Sequence, residues 1–311
     1  MIRVIESGLF TAVQDLGREG FGAMGVSASG AADAVSLRVG NLLVGNHERA
    51  AALEMTLVGG SFEFPDGDKV VLAGSDFAAT LDGLGVELWT PVDVRPGQTL
   101  RVGATRSGAR CYLCVRGGIA VTPFLGSAST HVLSGLGGVA GRALKKGDAL
   151  TTGNLGRRSD FEKLSARAKQ LLATAKVLRV TPGPQRSWFG EAARRVFETG
   201  AYQVTEDANR MGLRLAGSAI TRANGGEMIS EGVALGAVQV PESGMPIILF
   251  VEQQTTGGYP KIANVISADF HSLGQLRPRD EIRFEMVDWQ TARALLKEQE
   301  EVLTSEELLF A

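Results

Sequence analysis

The chain has 311 residues with 32 Lys+Arg against 34 Asp+Glu, a formal net charge of −2, which leaves no electrostatic footprint for nucleic acid or an anionic membrane. At 44% hydrophobic and 21% charged the composition is that of an ordinary globular protein with a sizeable core, and the length suggests about two domains. Glycine is the outlier, 40 residues of 311, placed in pairs at the ends of apolar runs as in β-rich chains with many tight turns.

In chain order, the N-terminus MIRVIESGLFTAVQDLG lacks the basic start and apolar stretch of a signal peptide. Asp33–Val44 reads as a helix, with Asp33 at its start and Gly45-Asn46 at its stop. Lys69–Gly74, Phe77–Leu81, Val86–Pro91, Thr99–Val102 and Arg110–Val115 are short apolar and β-branched runs bounded by Gly, Pro or Asp, and predict strands. Phe161–Ala175 is charged and helix-prone, inside a polar, strand-poor stretch that predicts a linker over 156–176. Further strands follow at Val177–Thr181, Ile247–Val251 and Glu281–Met286, with a short helix over Trp188–Phe197. Asp288–Leu309 carries apolar residues at helical spacing and a Glu-rich outer face, so a terminal helix is expected. The fold class predicted is mainly β, with modules over 1–155 and 177–311. Three segments, VRPGQTLRV from Val94, LKKGDAL from Leu144 and LRPRDEIRF from Leu276, echo one another. They read equally as traces of duplication or as a turn that any β protein reuses.

Two apparent motifs are rejected. Cys111-x-x-Cys114 lies inside a predicted strand, where residues three apart point to opposite faces, so the two thiols cannot meet and are expected in the core. Gly135-Leu136-Gly137-Gly138-Val139-Ala140 fits a loose dinucleotide pattern, but the glycines and lysines that follow make a turn instead of a helix. There is no P-loop, nucleophile elbow or zinc-protease motif, and no 18-residue apolar run. No metal site is expected, and the chain is expected to be cytoplasmic.

Four segments concentrate polar side chains among glycines. TAVQDLGREG places Gln14, Asp15 and Arg18 where a substrate or another backbone can approach, or in a hairpin with solvated charges. In VRGG, Arg116 beside two glycines offers a bidentate fork and open N–H groups to a carboxylate or phosphate, or a surface ion pair. VTEDANRMGLRL carries Arg210 and Arg214 around Gly212, which argues for a loop over a helix. In GAVQVPESGMP and EQQTTGGYPK, strands deliver Gln239 and the cluster Thr255, Thr256, Gly257, Gly258, Tyr259 and Lys261 to loops. A lysine in such a loop is expected at the surface, so that Lys261→Ala would leave the fold intact.

Together with LEMTLVGGSFEF, FLGSAST, GRALKKGD, VTPGPQRSWF and ISEGVALGAVQVPESGMP, these segments resemble the KipA-like, allophanate hydrolase subunit 2 family, the family of the C subunits of bacterial 5-oxoprolinases. The resemblance runs from Ile2 to about Phe284, and the QTTGGYPK segment is its most specific part. The family is also similar to part of the carboxyltransferase domain of urea carboxylase, a biotin enzyme.

The resemblance implies two cyclophilin-like β-barrel modules. It also implies a place in a complex with a KipI-like subunit (PxpB) and a LamB/YcsF-type subunit (PxpA), cleaving 5-oxoproline to glutamate with ATP, accompanied by Mg. Biotin enters only if the activity is carboxyl transfer, and a non-catalytic, KipA-like regulatory role is the remaining alternative. The catalytic candidates are Asp15, Arg18, Arg210, Tyr259 and Lys261. The substrate-binding candidates are Gln14, Arg116, Glu231, Gln239, Thr255, Thr256, Gly257 and Gly258. One departure stands out: Gln253 occupies the position before the QTTGGYP segment where relatives are expected to carry Arg.

Overall fold

The computed structural model describes residues 1–153, 163–223 and 228–310. They divide into two compact units: unit 1 contains Met1–Arg18, Ser29–Leu172 and the chain from Val302, and unit 2 contains Glu19–Ala28 and Ala173–Glu301.

Unit 1 holds two sheets. A five-stranded antiparallel sheet runs in the order Phe10–Gln14, Ala52–Thr56, Arg110–Val115, Asp68–Gly74, Val92–Val94. A seven-stranded sheet runs Ile119–Ala120, Ala149–Thr152, Ile2–Glu6, Ser61–Phe64, Gln98–Arg101, Thr80–Leu81, Leu84–Gly85.

Arg110–Val115 is buried at every residue. Its side chains alternate between two cores. Cys111, Leu113 and Val115 join Phe62, Phe64 and Leu100 of the seven-stranded sheet. Tyr112 and Cys114 join helix Ala34–Leu43 together with Leu164, Ala168, Val302 and Leu309. A strand buried on both faces reads as a continuous apolar run, as RCYLCV does. The two cysteines therefore sit in different cores, and burial pushes both thiols up.

Asp33 caps the helix, accepting from Ser36 N at 2.9 Å. The helix lies close on the sheet at Gly40, where a Cβ would come within 2.8 Å of Ala73 and Cys114. Burying each large aliphatic side chain here contributes roughly 1.5–3 kcal/mol.

Unit 2 is a closed barrel in the order Val177–Pro182, Lys261–Val265, Ala237–Gln239, Ile247–Leu249, Gly212–Gly217, Tyr202–Val204, Glu281–Met286. Its closing pair, Val177–Pro182 with Glu281–Met286, is parallel and the others are antiparallel. Helix Glu191–Thr199 brings Phe197 onto Phe284, with ring centroids 4.5 Å apart.

The mainly β expectation holds, with corrections. Among the described residues the closed barrel is in unit 2, while unit 1 layers a helix and two sheets, because its central strand needs cover on both faces. Residues 154–162, which include the start of the stretch read as a linker, fall outside the described set, and Ala166–Leu171, inside the helix-prone segment, is a helix as expected, with Ala168 fully buried. The terminal helix divides into Trp289–Thr304 and Glu306–Leu309, and its end belongs to unit 1. Val86–Pro91 is not a strand: Trp89 has a φ of 61° in a turn, and the strand begins at Val92.

The three echoing segments share one turn. The N–H groups of Arg95, Lys145 and Arg277 donate to the side chains of Gln98, Asp148 and Asp280, three residues on. The third turn position has φ of 81° at Gly97, 89° at Gly147 and 72° at Arg279.

Candidate functional site

In unit 2, Lys261 opens an interior strand of the barrel wall, paired on one side with Val177–Pro182 and on the other with Ala237–Gln239. The expectation of a surface lysine is corrected: only 3% of Lys261 is exposed. A register shift between Val238 and Gln239 sets Gln239 directly opposite Lys261. Directly paired antiparallel residues present their side chains on one face.

Two side chains, Glu231 and Gln185, organise around Lys261. Its Nζ lies 2.5 Å from Glu231 Oε1. Gln185 Nε2 donates to the same oxygen at 2.9 Å, and Gln185 Oε1 accepts the Lys261 backbone N–H at 3.1 Å. The turn before Gln185 approaches the strand so closely that a Cβ at Gly183 would lie 2.4 Å from Lys261 O. The hydrogen bonds from Lys261 and Gln185 hold the Glu231 carboxyl below its ordinary value.

Glu231–Gly232 pairs with Thr256–Gly257 in a ladder of two residues per strand. Gln239, 1% exposed, points its amide toward this ladder: a Cβ at Gly257 would be 2.7 Å from Gln239 Nε2 and 3.3 Å from Gln254 Nε2. Gln239 Nε2 has no hydrogen-bond partner among the described residues, and Lys261 Nζ has none apart from its ion pair with Glu231. A buried donor left unmade costs roughly 1–3 kcal/mol. Tyr259 is 46% exposed nearby in sequence, and Thr255 O accepts the Val233 N–H at 3.1 Å. Gln253, in the position expected to be Arg, donates to Val233 O at 3.3 Å.

Arg210 is in a turn leading into strand Gly212–Gly217, as Gly212 suggested. It pairs through Nε with Glu252 Oε1 at 2.5 Å, with both side chains buried. Glu252 and Gln185 were not foreseen as site residues. The Pro-Gly-Pro signal before Gln185 marks a tight turn, but nothing in the spacing ties it to Lys261, 76 residues on.

In unit 1, Asp15 accepts from Gly17 N at 2.8 Å, Ser127 Oγ at 2.6 Å, Ala128 N at 2.7 Å and Ser129 Oγ. The carboxylate thereby fastens segment 127–129 to the end of strand Phe10–Gln14. Arg18, 2% exposed, donates to Ser129 O and lies over the Phe124 ring, 5.6 Å from its centroid. Gln14 Nε2 donates to Thr130 O at 3.0 Å, and its Oε1 is buried without a partner among the described residues. Gly137 permits this packing, since its Cβ would sit 2.1 Å from Ser129 O.

At Arg116 the premise of open N–H groups is corrected. Gly117 N donates to Asn46 Oδ1 at 2.7 Å and Gly118 N to Val115 O at 2.8 Å. These glycines serve chain packing, for a Cβ at Gly117 would lie 1.8 Å from Gly153 O. Among the described residues no three His, Cys, Asp or Glu side chains gather as a metal-ligand set, and no helix is long and apolar enough to cross a membrane.

The described residues thus form a mainly β chain of two units, each with a buried polar constellation. Residues 24–286 match the family described as carboxyltransferase domain, subdomain A and B, and the chain belongs to that family. It is 40% identical over 284 residues to the C subunit of 5-oxoprolinase from Escherichia coli (strain K12), covering 91% of this chain and 90% of that one. It is 36% identical over 300 residues to the Haemophilus influenzae protein of the same name, covering 96% of each. Among solved structures, the K. lactis urea amidolyase superposes with a TM-score of 0.90 at 31% identity, over 99% of this chain and 20% of that one.

Proposed function

We propose that this chain is the C subunit of an ATP-dependent 5-oxoprolinase, working in a complex that cleaves 5-oxo-L-proline to L-glutamate. The observation that carries this reading is the 40% identity extending over nine-tenths of both chains. The partners are a KipI-like subunit (PxpB) and a LamB/YcsF-type subunit (PxpA), and the chain alone is inactive.

A lactam is a poor electrophile. Transfer of the γ-phosphoryl group from ATP to its oxygen gives ADP and a phosphorylated imidate. Water then adds at the ring carbon, the C–N bond breaks with the nitrogen leaving as the amine, and a second water cleaves the resulting acyl phosphate. Such chemistry asks the protein for positioning and for donors at oxygen. Lys261 and Gln239 supply donors from one face of adjacent strands, and Glu231 and Gln185 fix the lysine. ATP would bring Mg with its phosphates.

A second reading, carboxyl transfer, is favoured by the likeness to urea amidolyase over 99% of the chain. There biotin would supply an activated carboxyl group, and the same buried donors suit its oxygens. The deciding assay mixes the purified chain with its two partner subunits and measures phosphate release with 5-oxoproline or with urea. The proposed function requires release that depends on 5-oxoproline and on all three subunits.

A further inference from the structure

Gln239 Nε2 and Lys261 Nζ are two donors, both inaccessible to solvent, with no acceptor among the described residues other than Glu231. They share a face of the barrel wall because the register shift after Val238 sets their residues opposite one another. Lys261 Nζ spends its contact on a half-exposed carboxylate, and Gln239 Nε2 is left unmade, a rare condition for a buried donor that calls for an explanation. A packing role does not supply one, since an aliphatic side chain would fill the same volume without loss. The ladder against them is minimal, two residues per strand, and carries a glycine where any Cβ would meet Gln239 Nε2 at 2.7 Å.

We infer that Gln239 Nε2 and Lys261 Nζ form an oxygen-binding subsite for a small acid amide. The subsite lies beneath the Glu231–Gly232/Thr256–Gly257 ladder, and Gln185 is its positioning residue. The ligand oxygen accepts from both donors after the short ladder lifts. Gly257 leaves room for the oxygen to sit against Gln239. Gln185 acts through others: its Oε1 fixes the Lys261 backbone and its Nε2 fixes the Glu231 carboxylate, so the ammonium keeps one direction. The naming of a lactam acid as the ligand rests on the 5-oxoprolinase reading; the two-donor subsite does not.

The test uses the assembled complex with three probes: 5-oxo-L-proline, 2-pyrrolidinone, which keeps the lactam oxygen alone, and L-proline, which keeps the carboxylate alone. Affinities are measured by calorimetry and steady-state kinetics for the wild type, Gln239→Leu, the isosteric Gln239→Glu, Gly257→Ala and Gln185→Leu, with melting curves to confirm folding. The expected result is at least a tenfold loss of 5-oxoproline affinity in Gln239→Glu and Gly257→Ala. A matching loss for 2-pyrrolidinone assigns the subsite to the lactam oxygen, and a matching loss for L-proline assigns it to the carboxylate. Gln185→Leu is expected to lower kcat at least tenfold and to move the Glu231 carboxyl, followed by NMR, up toward 4.5, a shift that loss of packing alone would not produce. Folded Gln239→Glu and Gly257→Ala complexes with 5-oxoproline affinity within twofold of wild type would overturn the subsite. A wild-type complex that ignores 5-oxoproline but turns over urea, with that turnover lost in both variants, would leave the subsite standing and remove the 5-oxoprolinase reading.

Discussion

The Lys261 ammonium, on a residue 3% exposed, lies 2.5 Å from a Glu231 carboxylate whose side chain is 45% exposed. The pair is asymmetric: the lysine is fixed in the barrel wall, and the glutamate reaches it from a ladder two residues long. Breaking it from the lysine side removes a buried charge and leaves Glu231 to solvent, whereas breaking it from the glutamate side leaves a buried ammonium without its counter-charge.

Lys261→Met, which keeps most of the side-chain volume, is expected to fold and to lower turnover of the assembled complex at least about tenfold, ~1.4 kcal/mol of activation free energy. Lys261→Ala is expected to lower the melting temperature as well, because it opens a cavity in the barrel wall. Kinetics and thermal melts on both variants check this; full activity in Lys261→Met would contradict it.

The Glu231 carboxyl sits below its ordinary value of 4.5 because Lys261 and Gln185 donate to it. A group whose folded pKa is depressed contributes stability above its unfolded value and loses that contribution as pH falls through the folded one. Stability of the wild type minus that of Glu231→Gln, measured by urea denaturation, is therefore expected to be flat above pH 4.5 and to shrink on further acidification. A difference that grows toward acid would reverse the assignment.

Asp15 meets its four donors inside unit 1, so its first effect is on folding. Asp15→Ala strands two backbone N–H groups and two hydroxyls, and is expected to cost roughly 2–4 kcal/mol by denaturant titration. A loss below about 0.5 kcal/mol, the range of ordinary surface changes, would mean that the 127–129 segment is held by other contacts.

The shared turn gives a backbone prediction. A Cβ at Gly147 would meet nothing within 4 Å, so Gly147→Ala is a test of φ alone. It is expected to cost about 1–2 kcal/mol. Arg279, with φ of 72° at the equivalent position, is expected to accept glycine without loss, because its exposed ion pair with Glu206 contributes little. Equal losses in the two variants would contradict the equivalence of the turns.

Much of the local structure was legible from residues. The separation of Cys111 from Cys114 followed from strand period, the helix after Asp33 from its cap, and strands Arg110–Val115 and Glu281–Met286 from apolar runs between turn residues. Burial and closure were not. Lys261 looked like a loop residue because Gly257, Gly258 and Pro260 precede it, yet the chain turns straight into an interior strand. Whether short strands close a barrel or stack as sheets depends on pairings across long separations, such as Val177–Pro182 with Glu281–Met286. The partners Glu252 of Arg210 and Gln185 of Lys261 are 42 and 76 residues away, and no local pattern announces them.

The proposed function is tested most directly by 5-oxoproline-dependent phosphate release from the purified chain mixed with the proposed KipI-like and LamB/YcsF-type partners, compared with each subunit left out in turn. Phosphate and glutamate are expected in equal amounts with all three subunits, with none when this chain is omitted and none from this chain alone. Undiminished release without this chain, or a full complex that hydrolyses ATP only when given urea and a biotin-bearing partner, would contradict the proposal.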